Sequence, residues 1–170
     1  MAPGLEATEA VVIDDMAYVN GSAVAEVAVD SDTGLVTVER LVIAHDAGRL
    51  IHPQIVDGQI IGGAAHGIGN TLFEWMGFDD TCQPTTTTLG DYLLVSATEM
   101  PRRLDVVHRE TPTPLNPLGV KGVGEFGVMP CAAAIVSAIE DALAPLDVRI
   151  AQAPIRPHEL VALIAEAQKR

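Results

Sequence analysis

The sequence predicts an α+β fold, because alternating apolar stretches early in the chain are followed by stretches with helical apolar spacing. Residues 18–29 and 35–44 alternate apolar and polar side chains, as strands with one buried face do. Apolar residues recur every three or four positions over 55–72 and again over 134–143, the spacing of amphipathic helices. Strands and helices therefore occupy separate stretches, as in an α+β domain.

Length and composition predict a folded chain with a hydrophobic core. The 170 residues, of which 48% are apolar, suffice for a single domain over 1–170 or for two small lobes, about 1–110 and 111–170. The formal net charge of −13 disfavours nucleic acid and anionic membrane surfaces as partners. The first residues lack a signal-peptide pattern, and no apolar run approaches the roughly 20 residues of a spanning helix, so we expect a cytoplasmic protein with no membrane contact.

The two alternating stretches are predicted to pair as a β-hairpin. Between them lies Asp30-Ser-Asp-Thr-Gly34, whose side chains favour turns and whose glycine can adopt a positive φ. A short connection of this kind joins antiparallel neighbours.

The stretch from Pro53 to Trp75 is predicted to begin with a glycine-rich helix. Pro53 suits a first helical turn, and the apolar positions that follow have helical spacing. Each glycine inside a helix costs about 1 kcal/mol relative to alanine, so several of them indicate tight packing against a ligand or against another backbone. The sequence leaves these two explanations open. The glycines are Gly58, Gly62, Gly63, Gly67 and Gly69.

The rest of the chain divides at its prolines and short apolar stretches. Pro112, Pro114 and Pro117 prevent a regular element just before a glycine-rich loop. The remaining predicted elements are a loop over 76–90, a turn over 91–96, a strand over 104–108, an irregular segment over 111–117, a helix from about 128 to 143, a short strand over 148–150 and a terminal helix over 157–167.

The segment Leu115–Gly127 is the strongest candidate for a functional site. It carries four glycines, one lysine and one carboxylate, Glu125. Glycines let a ligand approach the backbone closely, and a helix start just downstream would leave free N–H groups facing it. In this setting Glu125 is either a general base or the cap of the following helix, and the local sequence leaves both open.

The letters Gly122-Val-Gly-Glu-Phe-Gly127 match a dinucleotide-binding fingerprint, but their context does not. A true fingerprint follows a hydrophobic strand within a βαβ unit. Here Pro114-Leu-Asn-Pro-Leu-Gly119 precedes it, so a nicotinamide-dinucleotide domain is disfavoured.

No metal site is predicted from the histidines and cysteines. None of the five histidines occurs in a ligand motif. The two cysteines form no Cys-x-x-Cys pair, which argues against an iron–sulfur cluster or a structural zinc in this chain. The histidines are His45, His52, His66, His108 and His158.

Four motifs follow one another along the chain: Glu26–Gly34, Asp46–Pro53, Gly58–Glu74, and Asn116–Glu125 with the helix Pro130–Leu143 behind it. Their order and spacing resemble the C-terminal part of the molybdenum-binding subunit of the xanthine dehydrogenase/aldehyde oxidase family, with the carbon monoxide dehydrogenase-like branch nearest. The resemblance covers residues 5–168. It implies the second half of a molybdenum-cofactor-binding domain, here as a separate small subunit.

The resemblance implies roles for six residues. In the family, the glutamate of the Gly-Val-Gly-Glu loop is the active-site base, a glutamine contacts the pyranopterin cofactor, and backbone N–H groups of the loop face the same cofactor. Carried onto this sequence, the base is Glu125, and the cofactor contacts are Gln59, Lys121, Gly122, Val123 and Gly124.

The resemblance also implies a molybdenum hydroxylase that oxidises an aldehyde, an N-heterocycle or a related small molecule, with water as the oxygen source. The implied cofactor is molybdenum-molybdopterin in its cytosine dinucleotide form. The implied partners are a larger molybdopterin-binding chain, an iron–sulfur subunit and an FAD subunit. The sequence departs from the family at His66 and His52, where glutamine and asparagine are usual, and a non-catalytic assembly module of such a complex is the alternative.

Overall fold

The computed structural model describes residues 4–12 and 15–169, so residues 1–3, 13, 14 and 170 of the predicted domain lie outside the described residues. One three-stranded sheet and several helices form the α+β fold that the sequence predicts. The elements are β1 (Asn20–Val29), β2 (Val36–Asp46), α1 (Pro53–Leu72), α2 (Leu89–Tyr92), β3 (Arg103–His108), α3 (Cys131–Ala142), a 3₁₀ turn (Ala144–Leu146) and α4 (Pro157–Ala167).

The sheet has the order β1-β2-β3. β1 runs antiparallel to β2, in a register from Asn20 opposite Asp46 to Val29 opposite Val36, and β3 lies parallel to β2 on its other edge. The parallel pairing places the end of β3 beside the end of β2. The segments that follow these two strands therefore meet at one edge of the sheet.

The predicted β-hairpin is confirmed, and its turn is held by local hydrogen bonds. The Asp30 carboxylate accepts the backbone N–H groups of Asp32 and Thr33 at 2.9 and 3.0 Å. Gly34 has φ +73°, and a Cβ at this position would collide with the backbone of Pro157. Only glycine satisfies both requirements without strain.

One hydrophobic core joins the sheet to the helices, and α3 packs against both β1 and α1. Cys131 lies within it, and burial raises the pKa of its thiol to about 11, which is far from the pKa of a reactive thiol. None of the helices in the described part of the chain is long and apolar enough to cross a membrane. The largest fully buried side chains of the core include Leu41, Ile43, Ile60, Ile68, Ile135, Ile139 and Leu160.

Close packing against backbone at Gly63 and against a side chain at Gly67 accounts for two of the α1 glycines. A Cβ on Gly63 would lie 2.7 Å from the Cα of Gly127, and a Cβ on Gly127 would collide with the carbonyl of Ile60. A Cβ on Gly67 would lie 2.5 Å from the Cβ of Cys131. The helix thus approaches the end of the glycine loop more closely than any side chain would allow.

The predicted strand over 148–150 is wrong, and the predicted turn over 91–96 is replaced by the short helix α2. Residues 148–150 have no strand partner among the described residues, and the Ile150 N–H donates instead to the Glu140 carboxylate at 2.8 Å. α2 is a single turn whose N-terminus is capped reciprocally by Thr88 and Asp91, and it ends where Leu93 adopts the left-handed conformation.

The helix that follows the glycine loop begins at Cys131 rather than near residue 128. The N–H groups of Val128 and Met129 donate to the Glu125 carbonyl in a series of turns before it. Pro130 then occupies the N-cap position without a side-chain hydrogen bond. Proline disfavours the α conformation of the residue before it, here Met129, and this explains why the helix starts late.

The stability of two alanine variants should separate packing glycines from exposed ones. Gly63→Ala is expected to destabilise the chain by roughly 1–3 kcal/mol, since the new methyl group meets backbone that cannot move aside. Gly62→Ala, where a Cβ meets nothing within 4 Å, should be neutral or stabilising by up to about 1 kcal/mol. Urea denaturation of both variants measures the difference. Equal stabilities would show that the Gly63–Gly127 contact does not constrain the fold.

Candidate functional site

The glycine loop is attached to the sheet through the segment that follows β2. The Lys121 N–H donates to the carbonyl of Ala47 at 2.8 Å, and the Arg49 N–H donates to the carbonyl of Gly119 at 3.0 Å. Gly48 and Val120 form an antiparallel bridge between these two bonds. The start of the loop therefore continues the sheet edge.

A buried ion pair reinforces this attachment. Lys121 Nζ lies 3.1 Å from Asp46 Oδ2, with side chains only 9% and 11% exposed. The other oxygen, Asp46 Oδ1, accepts the N–H groups of Gly48 at 2.9 Å and Thr111 at 3.0 Å. Burial alone would raise the pKa of the Asp46 carboxyl, but hydrogen bonds from Thr111, Gly48 and Lys121 outweigh burial and hold that pKa well below its usual range.

This arrangement corrects one sequence expectation and reveals two residues that the sequence reasoning missed. The Lys121 N–H is bonded to Ala47, so it is not free to face a cofactor as expected. Asp46 and Asn116 both hold the loop, although neither was assigned a role. The Asn116 Nδ2 group donates to the Val120 carbonyl at 2.9 Å, and Asn116 Oδ1 accepts the Val120 N–H at 3.1 Å. Asp46 begins the motif Asp46–Pro53 and Asn116 begins the motif Asn116–Glu125, and these positions were the sequence signal that could have identified them.

Phe126 fixes the other end of the loop. It is 5% exposed, and its ring centre lies 6.0 Å from that of His45. The ring occupies the space over Gly21, where a Cβ would collide with it. Because Gly127 also packs on α1, the loop is anchored at residue 121 and again at 126–127.

Between these anchors, Gly122, Gly124 and Glu125 are exposed, whereas Val123 is half-buried and packs against the hydrophobic core. The N–H groups of residues 122–127 donate to no acceptor among the described residues. A Cβ on Gly122 would meet nothing within 4 Å, and one on Gly124 would meet only Gln59 Nε2, at 4.0 Å. The structure thus brings Gln59 beside the loop, together with Gly122, Val123 and Gly124.

Glu125 is exposed and lies on this outward surface. Its carboxylate makes no hydrogen bond within the described residues, and no side chain caps α3. The helix-cap alternative therefore does not explain this residue. With Val19 and Met129, residues 122–126 line an open pocket of about 230 Å³, and a second pocket of about 530 Å³ adjoins it at Gly122.

The two histidines at which the sequence departs from the resembling family have different settings. His52 is the N-cap of α1, and its Nδ1 accepts the Ile55 N–H at 3.3 Å. Asparagine is also a favoured N-cap, so the departure preserves a capping role. His66 is exposed on α1. The described residues contain no group of three His, Cys, Asp or Glu that could hold a metal ion.

The sequence matches the family model described as molybdopterin cofactor-binding domain over residues 3–101. The gamma subunit of the 6-hydroxypseudooxynicotine dehydrogenase complex of Paenarthrobacter nicotinovorans is 40% identical over 158 residues, which cover 93% of this chain and 20% of that protein. The aldehyde oxidoreductase of Megalodesulfovibrio gigas is 36% identical over 144 residues, which cover 85% of this chain and 15% of that protein.

Solved structures agree with these sequence matches. Quinoline 2-oxidoreductase from Pseudomonas putida 86 superposes with a TM-score of 0.84 at 42% identity, covering 87% of this chain and 19% of that one. The Cu,Mo-CO dehydrogenase superposes with a TM-score of 0.77 at 27% identity, covering 82% of this chain and 18% of that one. The chain spans about a fifth of the length of these proteins.

Removing the Asp46 carboxylate should cost stability in a pH-dependent way. Asp46→Asn is expected to destabilise the chain by roughly 3 kcal/mol at neutral pH, because Lys121 is then buried without a counterion. The folded-state pKa of Asp46 is lowered, so its contribution is complete above the unfolded value of about 4 and is lost as the pH falls further. The gap in the free energy of unfolding between wild type and variant should therefore narrow below about pH 4.

Urea denaturation at several pH values measures this gap. Asp80→Asn is the matched control, since Asp80 is exposed and makes no hydrogen bond within the described residues. A gap that stays constant down to about pH 2 would contradict the assignment.

Proposed function

Because this chain belongs to the molybdopterin cofactor-binding domain family, we propose that it forms one wall of the active site of a molybdenum-dependent oxidoreductase. The observation that supports this most is the exposed surface of Gly122, Gly124 and Glu125, with Gln59 beside Gly124 and with backbone N–H groups that donate to no acceptor in the described part of the chain. The loop is held from behind by Lys121 and Phe126, so this surface is built rather than incidental.

The residues of this surface fit a pterin cofactor. The N–H groups of Gly122, Val123 and Gly124 would donate to its acceptor atoms, and the Gln59 carboxamide can donate and accept. Bound there, the molybdenum-molybdopterin cofactor supplies two-electron oxidation. Lys121 contributes through its ion pair with Asp46 rather than through its N–H. The adjoining pocket of about 530 Å³ supports the longer cytosine dinucleotide form.

Glu125 is proposed as the general base. Its carboxylate oxygens accept no hydrogen bond from the described residues, so either oxygen can accept a proton from the water that supplies oxygen to the substrate. In this chain the carboxylate contacts solvent. The base therefore requires a cover that excludes bulk water, which the rest of the enzyme would supply.

The remaining walls and the path for electrons are proposed to belong to other parts of a complex. The chain spans about a fifth of the relatives' length, and one relative is named as a complex subunit. We infer a larger molybdopterin-binding chain that closes the site, with iron–sulfur and FAD subunits that accept the electrons. The names of the relatives support an aldehyde or an N-heterocycle as the substrate class.

Glu125→Gln in the assembled, molybdenum-loaded enzyme tests the base. Turnover should fall by at least about 100-fold, because the carboxamide cannot accept the proton, while the molybdenum content stays unchanged. Glu39→Gln is the control, since Glu39 is exposed on β2. Turnover near the wild-type rate with molybdenum bound would rule out Glu125 as the base.

Alanine at the two open glycines distinguishes a cofactor surface from an assembly module. Gly122→Ala and Gly124→Ala should leave stability within about 0.5 kcal/mol of wild type, because the new methyl groups meet little protein. They should nevertheless lower the molybdenum and pterin content of the complex, since the methyl groups would stand between backbone and cofactor. Gly90→Ala, on α2 away from the loop, is the matched control. Full cofactor content in both loop variants would favour the non-catalytic assembly module.

A further inference from the structure

Three titratable side chains from three elements form a hydrogen-bonded relay that the sequence did not reveal. His45 Nε2 in β2 lies 2.8 Å from His108 Nδ1 in β3, and His108 Nε2 lies 2.7 Å from Asp57 Oδ1 in α1. The two histidines stand opposite each other in the parallel β2–β3 register. The relay runs from the partly exposed Asp57 to His45, which is 1% exposed.

The carboxylate fixes the protons of the relay. Ionised Asp57 accepts the N–H at His108 Nε2, so in a neutral pair His108 Nδ1 is the acceptor of the N–H at His45 Nε2. His45 Nδ1 is then a bare acceptor, and it is buried with no hydrogen-bond partner among the described residues. Burial, followed by the proximity of His108, lowers the pKa of His45.

Charged groups reach His45 from each element of the relay. Burial and His108 disfavour its protonated form, whereas Asp57 and Asp46 favour it. The Asp46 charge is compensated by its ion pair with Lys121. The net result is a neutral ring at the end of the relay.

The His45 ring forms part of the surface against which the Phe126 ring packs, called here the seat of Phe126. The two rings are 6.0 Å apart at their centres and tilted by 39°. The Phe126 ring also lies over Gly21, where a Cβ would collide with it. Because Phe126 directly follows Glu125, the orientation of His45 constrains the outward loop.

We propose that Asp57, His108 and His45 form a positioning relay, in which Asp57 holds a neutral His45 against Phe126 and thereby fixes the loop that carries Glu125. His45, His108 and Asp57 are positioning residues, since each acts on the loop only through Phe126. The importance of the relay for turnover rests on the proposed role of Glu125, but the fixing of the loop does not.

Hydrogen exchange of the Val128 and Met129 amides reports on the loop, because both donate to the Glu125 carbonyl, at 3.1 and 3.4 Å. In the assembled protein, Asp57→Ala should accelerate exchange at these amides by roughly fivefold at about pH 8, the effect of losing one hydrogen bond. Asp57→Asn keeps an acceptor for His108 and should restore near wild-type exchange at that pH. Asp80→Ala, an exposed control, should leave exchange unchanged.

The pH dependence separates a relay from simple structural damage. His45 has a lowered pKa in the seated state, so the seat is fully stable above the ordinary histidine value of about 6.5 and weakens as the pH falls below it. Asp57 opposes this lowering. After correction for intrinsic exchange, Asp57→Asn should therefore lose protection more steeply than wild type below about pH 6.5.

Unchanged exchange in Asp57→Ala would overturn the relay, as would an Asp57→Asn variant that matches wild type at every pH or matches Asp57→Ala at every pH. Neither readout depends on turnover. If Glu125→Gln abolishes activity while the exchange results are negative, only the relay fails. If the exchange results hold while Glu125→Gln remains active, only the proposed base fails.

Discussion

The buried ion pair between Asp46 and Lys121 is the contact on which the arrangement of the candidate site depends. Asp46 ends β2 and gathers the N–H of Gly48, the N–H of Thr111 and the ammonium of Lys121. Three segments that are distant in sequence are thereby joined at one edge of the sheet. A lysine buried at this depth without a counterion would cost several kcal/mol, so the position of Lys121 depends on Asp46.

The loop is held at both ends and open between them, and this combination suits the binding of a ligand. Lys121 fixes one end, and Phe126 with Gly127 fixes the other against β1, β2 and α1. The backbone between these anchors cannot turn inward to satisfy its own N–H groups. Donors that are positioned in advance bind a ligand with little further loss of conformational entropy.

Local patterns predicted most elements, while tertiary contacts decided what the patterns left open. The hairpin, α1, β3 and α4 follow from periodicity and turn chemistry, since their signals lie within a few neighbouring residues. The strand over 148–150 failed because a strand needs a partner, which no local pattern reveals. At the candidate site, the glycines and Glu125 were predicted from the loop motif, and Gln59 was predicted from the family resemblance. The burial of Lys121 and the pairing of His45 with His108 depend on strand register, which the sequence does not display.

The exposure of Glu125 bears on how the proposed active site would be completed. A carboxylate that accepts no hydrogen bond from the described residues is available to accept a proton, but in bulk water it competes with solvent for that role. The N–H groups of residues 122–125 likewise have no acceptor in the described part of the chain, and water satisfies them when nothing else covers them. Both groups gain selectivity from one change, the exclusion of water by a covering surface. Because the loop is anchored from behind, such a cover can approach only from the side that Gly122, Gly124 and Glu125 face.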